Sequence, residues 1–257
     1  MLADAINYLR RSGSLTQRAQ AAAWQAHQTP TGEVQSALLD GQASGGGWPA
    51  FWSGNIPSID ATCYRLTQAL SAPISPAELA MSLTWLECRQ LPDDTWAEEE
   101  EMRDLAPPWA RPGQQDATLY LTANAGWVLQ RAGRLAAGRS AGRYLSRYLS
   151  GEARLPSSMQ THWLSAGLWL MTGQPEADRV LDMLTTAVPS LSAGELVWMG
   201  NCLLDSGTPT SHPLMQTGVL RLLRLQQPDG SWPNDDDPSL TPQTTLEGIR
   251  FLLQLAS

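Results

Sequence analysis

The chain has 257 residues, 42% hydrophobic and 16% charged, with a formal net charge of −8. That is the composition of a globular chain with a substantial core. The charge argues against a nucleic-acid binder, which needs a basic face, and against an anionic membrane surface. Every cation is Arg, so Schiff-base chemistry through Lys is excluded.

Apolar periodicity predicts helices over 3–11 and 15–27, then a Gly/Pro/Ser-rich stretch over 28–57. Further helices are predicted over 59–71 and 76–90. A long insertion containing PPWARPG runs from Glu98 to Gly113, and its acidic run Glu98–Glu101 reads as a solvated loop or helix start. Helical pattern returns over 115–131, 137–150, 159–172, 175–187, 193–205, 214–227 and 242–255, and no segment reads as a strand. The segment RSAGRYLSRYLSG is amphipathic, with Arg139, Arg143 and Arg147 on a solvated face. THWLSAGLWLM and GELVWMGNCLL are apolar nearly all round, as buried helices are. The expectation is one all-α domain over 1–257. No apolar run approaches ~18 residues, so no transmembrane segment is expected. The N-terminus lacks an apolar signal core, and an odd count of three Cys fits reduced thiols in a cytoplasmic protein.

One short element occurs three times: QASGGGW (Gln42–Trp48), QLPDDTW (Gln90–Trp96) and QQPDGSW (Gln226–Trp232). Its frame is Gln, three residues, Gly, one residue, Trp, with Asp94 replacing Gly in the second copy. Such a repeat fixes architecture before anything else does. Trp85 and Leu86 precede the second Gln by five and four residues, and Leu38 and Leu222 hold the aliphatic position in the other copies.

The element resembles the QW repeat of squalene-hopene cyclases, oxidosqualene cyclases and other class II terpene cyclases. The same helical-pair ring occurs in protein prenyltransferase β subunits. The resemblance implies an α/α toroid, a double ring of outer and inner helices with about five to six pairs. In the family the Gln bonds a helix end and the Trp packs over it. The family's DxDDTA motif opens an inner helix, and its middle Asp delivers the initiating proton. SIDATC aligns with Asp60 in that position and Thr62 at the Thr, and QQDATL aligns through Asp116 and Thr118. Ser58 and Gln114 replace the first Asp, and Ala61 and Ala117 the last.

If the inner helices run parallel, their N-termini gather Asp60, Asp116, His162 and Glu195 at one mouth. Either Asp can instead serve as a first-turn or N-cap residue. The aromatics Tyr64, Tyr120, Trp127, Trp163, Trp169 and Trp198 fall on the same helices. They suit either core packing or stabilisation of a carbocation. Asp60, Cys63 and His162 resemble a prenyltransferase-type zinc trio, but the spacing departs from Asp-x-Cys, and neither metal nor cofactor is expected. Asn234–Asp237 reads as loop charge. Phosphate-cradling, dinucleotide-binding and nucleophile-elbow motifs are absent. Two functions follow. One is acid-initiated cyclisation or isomerisation of a small isoprenoid or polyene. The other is a non-catalytic toroid that binds an apolar ligand or a partner protein.

Overall fold

The computed structural model describes residues 1–72 and 74–256. These hold twelve α-helices and one pair of two-residue strands, so the chain is all-α. The helices are α1 (Leu2–Ser12), α2 (Leu15–Gln25), α3 (Gly32–Leu39), α4 (Ile59–Ser71), α5 (Ala80–Glu87) and α6 (Gln115–Arg131). They continue as α7 (Leu135–Ser146), α8 (Met159–Thr172), α9 (Glu176–Ala187), α10 (Ala193–Asp205), α11 (Pro213–Leu225) and α12 (Thr241–Ala256). Strands β1 (Trp48–Pro49) and β2 (Pro57–Ser58) pair antiparallel, Trp48 opposite Ser58. Helix α3 and most of this hairpin lie inside the Gly/Pro/Ser-rich stretch 28–57, for which the sequence predicts neither helix nor strand.

The chain forms two compact units, one of residues 38–180 and one of 1–37 with 181–257. In the first unit α6 packs on α4, α7 and α8. Twelve of the seventeen residues of α6 are buried, and so is the run Thr161–Trp169 of α8. Helix α7 buries one face, through Ala137, Ala141, Tyr144 and Leu145, and exposes Arg139, Arg143 and Arg147. The burial of α7 and α8 follows the amphipathic and apolar patterns read from sequence. In the second unit α12 packs on α1, α2 and α10, and α10 on α11.

The three repeat elements fold alike. In each, the Gln side chain donates to the carbonyl four residues on: Gln42 to Gly46 (3.2 Å), Gln90 to Asp94 (3.4 Å) and Gln226 to Gly230 (2.9 Å). Its second bond ties the turn to another segment, at Ser82, Ser140 or the Met1 carbonyl. The Trp indole donates back to the helix end before the turn, from Trp48 to Asp40, Trp96 to Leu86 and Trp232 to Leu222. Each Trp backbone N–H donates to a threonine hydroxyl on a following helix: Thr62, Thr122 or Thr245. A buried N–H left without an acceptor costs about 1–3 kcal/mol, so these threonines matter to the fold. The turn needs a left-handed residue at its fourth step after Gln. Gly46 (φ 106°), Asp94 (φ 73°) and Gly230 (φ 94°) occupy it. Asp tolerates that region better than most side chains, which explains the departure at position 94.

A fourth copy exists that the sequence conceals. Ser150 N–H donates to Arg154 O (2.9 Å) and Ala153 N–H to Ser150 O (3.1 Å). This is the pattern of Leu91–Thr95–Asp94 and Gln227–Ser231–Gly230. Ala153 takes the left-handed position at φ 58°. Leu149 stands for the Gln and Leu155 for the Trp, and Leu155 N–H donates to His162 Nε2 (2.9 Å) where the other copies use threonine.

Candidate acid site

Helix α4 starts at Ile59 because Ser58 caps it, accepting from Ala61 N–H at 3.2 Å. Two further amides and the Ser58 hydroxyl are taken by one distant carboxylate. Glu98 accepts from Ser58 Oγ (2.7 Å), Ile59 N–H (3.0 Å) and Asp60 N–H (3.0 Å). An anion at a helix N-terminus is favoured by the free amides and the helix dipole. Glu98 is 5% exposed, which corrects the reading of Glu98–Glu101 as solvated: Glu99, Glu100 and Glu101 are exposed, and Glu98 is not. Nothing local distinguishes it, because its partners lie forty residues upstream.

The Asp60 carboxylate is gripped at both oxygens. Oδ1 accepts from the Tyr120 hydroxyl at 2.8 Å and Oδ2 from the Trp109 indole at 3.2 Å. Asn124 Nδ2 donates in turn to the Tyr120 oxygen at 3.3 Å. Burial raises the Asp60 carboxyl above its ordinary value, against the opposing effect of the Tyr120 and Trp109 hydrogen bonds. Glu98 is raised too, by burial first and by the Asp60 charge last, against three donors. Burial, then the charge of Asp60, pushes the Tyr120 phenol well up, so it stays a donor. Cys63, one turn along α4, is a buried thiol pushed well up by burial and by both carboxylates.

The remaining predicted site residues lie elsewhere or do other work. Asp116 is exposed in the first turn of α6, and its carbonyl accepts from Ser157 Oγ at 2.7 Å. The Trp-tied register makes the counterpart of Asp60–Thr62 on α6 the pair Tyr120–Thr122, not Asp116–Thr118. Both D-A-T triplets open helices, where Asp is favoured for its own reasons. Helix α6 begins one turn earlier relative to the tying threonine, so the sequence match and the structural register differ by four residues.

Glu195 forms a capping box with Ser192, accepting from Ser192 N–H (2.9 Å) and donating its own N–H to Ser192 Oγ (3.2 Å). His162 is 2% exposed. Its Nε2 accepts from Leu155 N–H, so Nδ1 carries the proton and donates to Ser158 O at 2.9 Å. Burial lowers its pKa, which fits a neutral ring with both nitrogens committed to backbone. Among the described residues no group of three His, Cys, Asp or Glu stands close enough to hold a metal, so Asp60, Cys63 and His162 are not gathered into one.

Trp127, Trp163 and Trp169 are 1%, 0% and 0% exposed. Their rings are packed within protein, and Trp169 donates to Gly142 O at 3.0 Å. Tyr64 is 48% exposed, on the Asp60 face of α4 one turn further on. Trp198 is partly buried on α10. One more buried acidic residue lies outside the predicted site: Glu247 of α12 is raised by burial, accepts from Gln243 Nε2 at 3.0 Å and lies a turn from Arg250.

No described helix is long and apolar enough to cross a membrane. A scan against protein-family models finds no match to the chain, and a search of curated proteins finds none.

Proposed function

We propose that the chain is a cytoplasmic α/α toroid of the class II terpene cyclase type, in which Asp60 delivers a proton to an alkene of a small isoprenoid or polyene. The observation that carries this reading is the Asp60 carboxyl itself. It is raised by burial, oriented through both oxygens, and set at the start of a helix in the register the resemblance gives the acid. Each oxygen retains a lone pair after accepting from Tyr120 or Trp109, so the neutral acid fits the same cradle. The Asp60 O–H bond breaks as the alkene π pair takes the proton to form a C–H bond. A carbocation is left on the neighbouring carbon and a carboxylate on Asp60. A second alkene of the substrate attacks the cation, the new cation loses a proton to water, and return of a proton from water to the Asp60 carboxylate closes the cycle. The aromatic residues bonded to the acid are Tyr120 and Trp109, and the exposed Tyr64 lies one turn further along α4; such rings suit a cationic intermediate.

The second reading is a non-catalytic toroid that binds an apolar ligand or a partner protein. The packing of Trp127, Trp163 and Trp169 leaves those rings no open face for a carbocation, which favours this reading over cyclisation, with partner binding its simpler form. The test is to incubate wild type and Asp60→Asn with farnesyl- and geranylgeranyl-type substrates and to analyse extracts for cyclic products. Loss of a general acid lowers turnover by about 10²–10⁴-fold, so the variant should be inactive and folded. Equal turnover in both would remove Asp60 from the reaction. No product from wild type with any polyene leaves the binding reading.

A further inference from the structure

The segment from Glu98 to Gly113 touches the Asp60 region twice. At its start Glu98 caps α4 through Ser58 Oγ and the amides of Ile59 and Asp60. Eleven residues on, Trp109 reaches Asp60 Oδ2 through its indole N–H. The segment is fastened by a small core, in which Met102, Ala106 and Ala110 are 0–3% exposed and pack with Trp52 from outside it. Trp109 sits in a turn of 3-10 helix, Pro108–Ala110, whose Ala110 belongs to that core. An insertion with no role at the acid would have no reason to present an indole, 45% exposed, at hydrogen-bond distance from a carboxylate. An exposed Trp is costly to leave in water, and indole N–H can only donate.

We propose that Trp109 is a positioning residue for Asp60, and that the Glu98–Gly113 strap exists to hold its indole N–H against Oδ2. This deepens the reading of Asp60 as an acid and rests on it for its catalytic meaning. The geometry divides the work. Tyr120 comes from α6 and fixes Oδ1, while Trp109 comes from the strap and fixes Oδ2. With two donors from different elements, rotation of the carboxyl is stopped and its plane is set. The donors also favour the carboxylate, so they offset burial and keep the proton transferable rather than locked on the acid. The titratable groups facing Asp60 are Glu98 from the strap, Tyr120 from α6 and Cys63 from its own helix.

The experiment is carboxyl NMR titration of the full chain labelled in Asp, with the Asp60 resonance assigned by its loss in Asp60→Asn. Trp109→Phe keeps the ring and removes the donor. The expected result is that Asp60 binds its proton more tightly in Trp109→Phe, by roughly three- to tenfold, with an unfolding transition close to wild type. Trp109→Ala should move the midpoint in the same direction. An unchanged Asp60 midpoint in both folded variants overturns the proposal. A purely structural Trp109 would alter stability and leave the titration alone. Polyene turnover reports separately on the acid reading: a shifted midpoint with no turnover by wild type keeps the positioning role and discards the cyclase.

Discussion

Truncating Trp232 tests what the repeat element contributes. Its ring is 0% exposed. It donates to Leu222 O at 2.8 Å, its backbone N–H donates to Thr245 Oγ1 at 3.1 Å, and it packs against α12 at Gly248. A methyl added to Gly248 would stand 2.7 Å from Cε3 of the ring, so the helix backbone itself is the surface on which the indole packs. Trp232→Ala removes that packing at about 3–5 kcal/mol. It also leaves the Leu222 carbonyl without its donor, for about 1–3 kcal/mol more where water does not replace it. Trp232→Phe keeps most of the ring and loses only the N–H, so it should cost about 1–3 kcal/mol. Gly248→Ala should cost a similar amount by overpacking.

The two sites share atoms, so their effects should not add. The smaller ring of Trp232→Phe relieves the clash of Gly248→Ala, giving a coupling of roughly 0.5–2 kcal/mol in a double-mutant cycle. Urea unfolding followed by far-UV circular dichroism reads all five proteins: wild type, the three single variants and the Trp232→Phe/Gly248→Ala double. A Trp232→Ala loss below about 1 kcal/mol, or strict additivity with Gly248→Ala, would refute the argument that this ring clamps α12.

Asp60, Glu98 and Glu247 are all raised by burial, so the folded chain holds protons that the unfolded chain releases. Their contribution is complete below the ordinary carboxylate range and is lost as pH rises through the folded midpoints. Asp60→Asn should therefore gain on wild type as pH rises from that range, and a melting-temperature difference that stays flat with pH would contradict this. Glu98→Ala should cost about 2–3 kcal/mol by stripping the α4 cap, and Glu98→Gln less, as measured by urea midpoint. His162 has the opposite sign. Its pKa is lowered by burial, so its contribution is present above the ordinary imidazole value and is lost as pH falls through the folded midpoint. His162→Ala should remove that acid sensitivity and cost about 2–4 kcal/mol, which a pH series of thermal melts on both proteins measures.

The helical fold was legible because its signals are local. Amphipathic α7 and the nearly all-apolar α8 and α10 differ in their apolar pattern, and their burial follows it. The three Gln–Trp elements were legible because the Gln bond and the left-handed residue that set the turn lie within four residues of each other. What sequence reading missed depends on distance. Glu98 finds its amides forty residues upstream, and Trp109 finds Asp60 forty-nine residues upstream, with no spacing rule to connect them. Helix α3 has eight residues and opens on Gly32, and weak propensity there hides it.

The fourth copy of the repeat shows which part of the motif the fold requires. Leu149–Leu155 has lost both letters by which the element is recognised, yet it keeps the turn, the left-handed residue and the bond from position seven to the next helix. Its Leu155-Pro156 also matches Trp48-Pro49 and Trp232-Pro233. The constant part is therefore backbone geometry, and Gln and Trp are one way of anchoring it. A buried leucine in the Trp place gives up the indole bond, and a histidine in the threonine place restores the backbone acceptor. This is why His162, which sequence reading puts among the candidate acids, is tied to Leu155 N–H. The same register, followed from Thr62 to Thr122, places Tyr120 at the level of Asp60, where the two side chains meet at 2.8 Å. A one-turn error separates Asp116 from that position. The candidate acid is therefore a carboxyl paired with a phenol, and the repeat that positions the helices also decides which residues of neighbouring helices come together.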